Sequence, residues 1–139
     1  MNRNLFSPAQ GDPKRRLFVW WVQWVAFLVG IFVFCAFLSR PAGDRPATDP
    51  SLWPITLIPL AVSVILRWVF LPRARVLQTA YAQFVIGIAM AEAVCFFGIF
   101  LFPDRLQILF PLSVVGVFQF IPLFARRLID ESAEGSRGV

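Results

Sequence analysis

The sequence predicts an all-α membrane protein, a four-transmembrane-helix antiparallel bundle with both termini in the cytoplasm. Three observations carry this expectation. The chain is 58% apolar, with sixteen Phe and only 15% charged residues, which is too apolar for a soluble domain of 139 residues. The apolar residues fall into four runs, 17–38, 52–71, 79–102 and 106–124, each long enough as a helix to cross a hydrocarbon core of ~30 Å. Basic residues alternate in density between the connecting segments: nine (Arg3, Lys14, Arg15, Arg16, Arg73, Arg75, Arg126, Arg127, Arg137) against three (Arg40, Arg45, Arg105). The richer side is cytoplasmic by the positive-inside rule.

The runs are apolar on every face, unlike the shorter alternating strands of a membrane barrel. The first is too long for a signal-peptide core and has no small-x-small cleavage site after it, so it is expected to be a retained span. Residues 1–16 and 125–139 then form cytoplasmic segments around a membrane domain of residues 17–124. Asp49-Pro50-Ser51 is a helix start, and Asp104 is placed to cap the fourth helix. The link between spans one and two, with Pro41, Gly43, Pro46 and Pro50, is expected to be extended. Residues 72–78 and 103–105 are short links, so spans two, three and four are sequential antiparallel neighbours. Trp20, Trp21, Trp24 and Trp68 fall near the cytoplasmic boundary and Trp53 near the outer one, as interfacial aromatic anchors do.

Glu92, near the middle of the third run, is the only acidic residue inside any of the four. A carboxyl at such depth is costly and marks a packed polar contact or an ion-binding group. Taken out of water it is held more cheaply as the neutral acid, which donates a hydrogen bond. By residue count its level matches Gly30, Pro59 and Pro111 to Ser113. Proline lacks an N–H, so Pro59 and Pro111 would free the carbonyls of Ile55 and Gln107. With the Ser63 and Ser113 hydroxyls these would make a midplane polar pocket, although such prolines are also ordinary in membrane helices. A second polar layer, Gln23, Arg67, Gln83 and Gln119, lies nearer the cytoplasm. Arg67 is close enough to its helix end to snorkel, and the glutamines suit interhelical hydrogen bonding. Gln83 and Glu92 point about 180° apart, which argues against a relay along span three.

Ala80, Gly87, Ala91, Cys95 and Gly98 share one face of span three within about 80°, a small-residue stripe suited to close helix packing, within the bundle or between subunits. Glu92 lies about 100° from Ala91, in line with Tyr81, Val85, Ile88 and Ile99.

The stretch Ala91-Glu92-Ala93-Val94-Cys95-Phe96-Phe97-Gly98-Ile99 resembles the ion-carrying helix of rotary ATPase c subunits. In that family the glutamate binds the transported proton or sodium ion, and Glu92 is the matching position. The Gly-rich inner helix of that family has no counterpart in spans one, two or four. Ala89-Met90-Ala91-Glu92-Ala93-Val94 is also similar to the glutamate helix of small multidrug transporters, where the acid belongs to the first span.

Other chemistry finds no residues. There is no His, which excludes His-ligated haem and His-based metal or triad sites, and no phosphate loop or nucleophile elbow is present. Cys35 and Cys95 are isolated packing residues. The expectation is a non-enzymatic membrane subunit or scaffold without cofactor or metal, in a bacterial inner membrane. Its partners are the lipid bilayer and either copies of itself or a larger membrane complex, not nucleic acid. The alternative is a proton- or monovalent-cation-linked carrier component using Glu92.

Overall fold

A computed structural model describes residues 13–39, 49–74, 76–127 and 129. Arg3, Arg40, Arg45, Arg75 and Arg137, the link residues Pro41, Gly43 and Pro46, and the acids Asp130, Glu131 and Glu134 lie outside the described residues. Among those described, all regular structure is helical: α1 (Pro13–Leu38), α2 (Leu57–Ile65), α3 (Leu77–Phe100) and α4 (Leu106–Phe118), with short 3-10 and π segments attached to α2 and α4. Four helical stretches, Lys14–Leu38, Ser51–Arg73, Leu77–Phe100 and Pro103–Arg127, are long and apolar enough to cross a membrane.

The helix α1 is uninterrupted because its one proline, Pro13, stands at the first helical position, where a missing N–H costs nothing. It turns Trp20, Trp24 and Ile31 inward and leaves Phe18, Val22, Val29, Phe32 and Phe37 exposed. The spacing of the inward residues keeps them near one face of the helix.

The second span changes pitch along its length. The Asp49 side chain accepts the Ser51 N–H at 2.9 Å, starting a 3-10 segment, Pro50–Thr56, with Pro54 inside it. The α-helical part begins only at Leu57, so Pro59 is its third residue. In a first turn the missing N–H has no helical acceptor to lose, and the Leu57 N–H is shared between the Ile55 and Pro54 carbonyls. The Ile55 carbonyl is therefore not left free. From Leu66 to Phe70 the span is a π-helix, ended by a 3-10 turn, Leu71–Arg73.

Asp49 is fully exposed, and its carboxyl is held below the ordinary aspartate range by the backbone N–H of Ser51 first and its hydroxyl second. A depressed carboxyl supports the fold fully above its unfolded value, and that support is lost as pH falls through the folded value. The thermal midpoint of the wild type is therefore expected to fall more than that of Asp49→Asn on acidification below about pH 4. Equal acid losses in melts of the two proteins would refute the cap's contribution.

The third and fourth spans are joined by the 3-10 turn Pro103–Arg105. Asp104 does not cap α4: the capping position is Arg105, one residue later, and neither it nor Phe102 makes a side-chain cap bond. Pro111 is exposed, and α4 continues through it. The break comes instead at Phe118, followed by a turn over residues 119–122 and a resumed helix at residues 123–127. The residue before a proline is disfavoured in the α conformation, and Ile121 precedes Pro122.

Helix α3 is the centre of the bundle. It packs on α1, α2 and α4, while α1 and α2 each dock on the α3–α4 pair rather than mainly on each other. Ten of its 24 residues are buried, all within about 160° of one another on the wheel, and the apolar residues show no one-sided pattern because the other side, with Ala82, Ile86 and Phe100 exposed, is apolar too. As the short links require, α2 with α3 and α3 with α4 are packed neighbours.

Candidate functional site

Glu92 is 8% exposed on the side of α3 that meets α1. Its Oε1 lies 3.2 Å from where a Cβ on Gly30 would stand, and the Phe34 ring is 3.7 Å from the same point. The carboxyl thus occupies a slot that exists because residue 30 has no side chain. One turn further along the same contact the Phe34 and Phe96 rings meet at 5.0 Å, and at the opposite end Tyr81 meets Trp20 at 5.2 Å. Tyr81 and Glu92 share the α1-facing side, as their wheel positions require. Among the described residues no hydrogen bond or ion pair reaches the carboxyl.

The small-residue stripe faces α4 of the same chain. A Cβ on Gly87 would fall 2.2 Å from Cζ of Phe120, and one on Gly98 would fall 3.0 Å from Leu106 Cδ1. A Cβ on Gly116 would fall 2.8 Å from that of Ala91 and 2.9 Å from Leu60 Cδ1. Ala80 and Cys95 are buried beside them. At these positions the stripe is an intramolecular seam, already covered, rather than a free surface for a second subunit.

A separate polar knot ties three helices together. Ser63 of α2, fully buried, donates to the Gly87 carbonyl of α3 at 2.8 Å and accepts from Gln119 Nε2 at 3.1 Å. Arg67 Nε donates to the Gln119 carbonyl at 2.6 Å. That carbonyl is available because α4 stops just before it, at Phe118. The same break serves Trp24, whose Nε1 donates to the Val117 carbonyl at 3.0 Å. Arg67 is thus turned into the bundle instead of simply snorkelling outward, with its guanidinium 4.5 Å from the Phe124 ring centre and 5.4 Å from that of Trp68.

The expected polar layer is therefore split. Arg67 and Gln119 join the knot with Ser63, whereas Gln83 Oε1 is buried with no partner and Gln23 is half-buried outside the knot. Among the described residues no hydrogen bond joins Glu92 to the expected midplane pocket. Pro59 frees no carbonyl there, Pro111 is exposed, and Ser113 Oγ is buried without a hydrogen-bond partner.

Two of the tryptophans read as boundary anchors are core residues. Trp20 is 3% exposed, packed on Phe84 at 4.7 Å and Phe124 at 5.6 Å, and Trp24 is buried against Phe118 at 5.5 Å. Trp68, by contrast, is 65% exposed.

The pieces missed from sequence are Pro122, which ends α4 early, and Phe120, which fills the gap over Gly87. Pro122 was the available signal. Among the described residues no group of His, Cys, Asp or Glu side chains could hold a metal ion, and Cys35 and Cys95 are free thiols. No protein-family model, curated protein or solved structure matches the chain.

Proposed function

We propose that the chain is a small multi-pass membrane subunit or scaffold, with both termini cytoplasmic in a bacterial inner membrane, in which Glu92 is a neutral acid that sets how α1 docks on α3. The observation that carries this reading is the seat of Glu92 Oε1 in the Gly30 slot, buried at mid-span between two helices. A neutral acid there fills a defined notch and fixes the register of α1, the helix with the least buried span. Among the described residues no polar chain leads away from it, and the knot around Ser63 lies on the Gly87 side of α3. With the small-residue stripe covered by α4, copies or partner subunits would meet the exposed apolar face of α1.

A second reading has one observation in its favour. Among the described residues the carboxyl has no hydrogen-bond or ion-pair partner, so a proton or monovalent cation could be its ligand, as the resemblance to rotary ATPase c subunits implies.

Proton and sodium flux into liposomes separates the two. The subunit reading expects no flux from the wild type, and a Glu92→Gln protein that keeps its oligomer size and thermal midpoint, since glutamine fits the same slot without ionising. Wild-type flux that disappears in Glu92→Gln while the oligomer persists would overturn it in favour of ion carriage.

A further inference from the structure

The Ser63 knot leaves one group unfinished. Arg67 commits only Nε to the protein, at the Gln119 carbonyl, and among the described residues its two terminal nitrogens meet no carbonyl or carboxylate. The guanidinium is half-buried and lies over both the Phe124 and the Trp68 ring, so one hydrogen bond and two aromatic contacts hold it. A charge in such surroundings without a counter-anion is costly. The fork left open matches two oxygens of a phosphate or carboxylate, which guanidinium groups bind in bidentate fashion.

The depth of the group identifies the anion. Trp68, next in sequence and 65% exposed, has the exposure expected of a tryptophan at the headgroup level of a bilayer. Arg67 lies within the same apolar span, six residues before its end at Arg73, or ~9 Å at helical rise. A guanidinium that reaches from there toward the end of the span, as long basic side chains do, meets the lipid phosphate as the abundant anion. Arg73 is a contrast: it is exposed, and its terminal Nη1 is already donated to the Val69 carbonyl.

We propose that Arg67 is the seat of a lipid phosphate, its terminal nitrogens binding the phosphodiester oxygens of an anionic glycerophospholipid whose chains lie along the exposed surface of α2 beside Trp68. The inference rests on membrane insertion of the span and not on any role of Glu92. The site selects net anionic headgroups, because no carboxylate among the described residues offsets the guanidinium and a choline headgroup would bring its own cation.

Native mass spectrometry of the detergent-purified chain with added phosphatidylglycerol or phosphatidylcholine tests it. The expected result is one phosphatidylglycerol retained per chain, with about tenfold preference over phosphatidylcholine. That preference should vanish in Arg67→Gln and survive in Arg73→Gln. Equal loss in both variants would mean general attraction to a basic surface, and full retention in Arg67→Gln would place the lipid elsewhere; either overturns the site. Inorganic phosphate is the control for source: if it raises the thermal midpoint as phosphatidylglycerol does, the lipid assignment falls. Should Arg67→Gln not fold, the wild type decides alone, since a midpoint that rises equally with the two lipids also overturns the proposal.

Discussion

Trp20→Ala is expected to cost about 3–5 kcal/mol of stability, the range for deleting a large buried aromatic side chain. Trp20 joins α1 to two other parts of the bundle, meeting Tyr81 and Phe84 on α3 and Phe124 beyond the end of α4. Its removal leaves a cavity where three segments converge, and the ring contacts go with it. The same change at Trp68, largely exposed and touching Arg67, should cost about 1 kcal/mol or less. Reversible unfolding in mixed micelles, followed by circular dichroism, measures both. Equal small losses would return Trp20 to the role of an interfacial anchor.

Gly87→Ala is expected to cost about 2–3 kcal/mol, at the upper end for one methyl forced into a packed interior. The new Cβ would lie 2.2 Å from Cζ and 2.6 Å from Cε1 of Phe120, a fully buried ring. Movement of either helix also pulls on the Ser63 bond to the Gly87 carbonyl. Gly116→Ala, opposed at 2.8 Å and 2.9 Å, should cost less, and Gly30→Ala, opposed at 3.2 Å by the end of the Glu92 side chain, least of the three. Combining Gly87→Ala with Phe120→Leu should cost about 1 kcal/mol less than the sum of the single changes. A rank order in which Gly30 exceeds Gly87, or additivity of the pair, would contradict the seam as described.

Much of this arrangement is legible in the sequence. Four apolar runs of sufficient length indicated four helices, and the short links made neighbours of the last three. The Asp-Pro-Ser start appeared where the residues place it, and the wheel of span three separated a face bearing Glu92 from a face of small residues, which proved to be the α1 and α4 sides. What was hidden has physical reasons. An aromatic near the end of a span has the same sequence signature whether it turns to lipid or to protein, so Trp20 and Trp24 could not be told from Trp68. Pro122 sits inside a continuous apolar run, where hydropathy gives no sign of a break. Arg67 is long enough to reach in either direction, and what draws it inward is a carbonyl exposed by that break. The π-helical pitch of residues 66–70 has no mark in the residue types that form it.

The early end of α4 also bears on how the molecule is made. Synthesis runs from the N-terminus at ~5–20 residues per second, so Trp24 and Arg67 are made before their acceptors, the carbonyls of Val117 and Gln119, exist. Until those residues arrive, an indole N–H and a guanidinium stand without these native partners, and the first three helices are held by their mutual packing and the Ser63 bond to the Gly87 carbonyl. The last span is thus the clasp that closes the molecule during biogenesis. A nascent chain arrested before residue 117 should present both groups to whatever insertase or chaperone attends it.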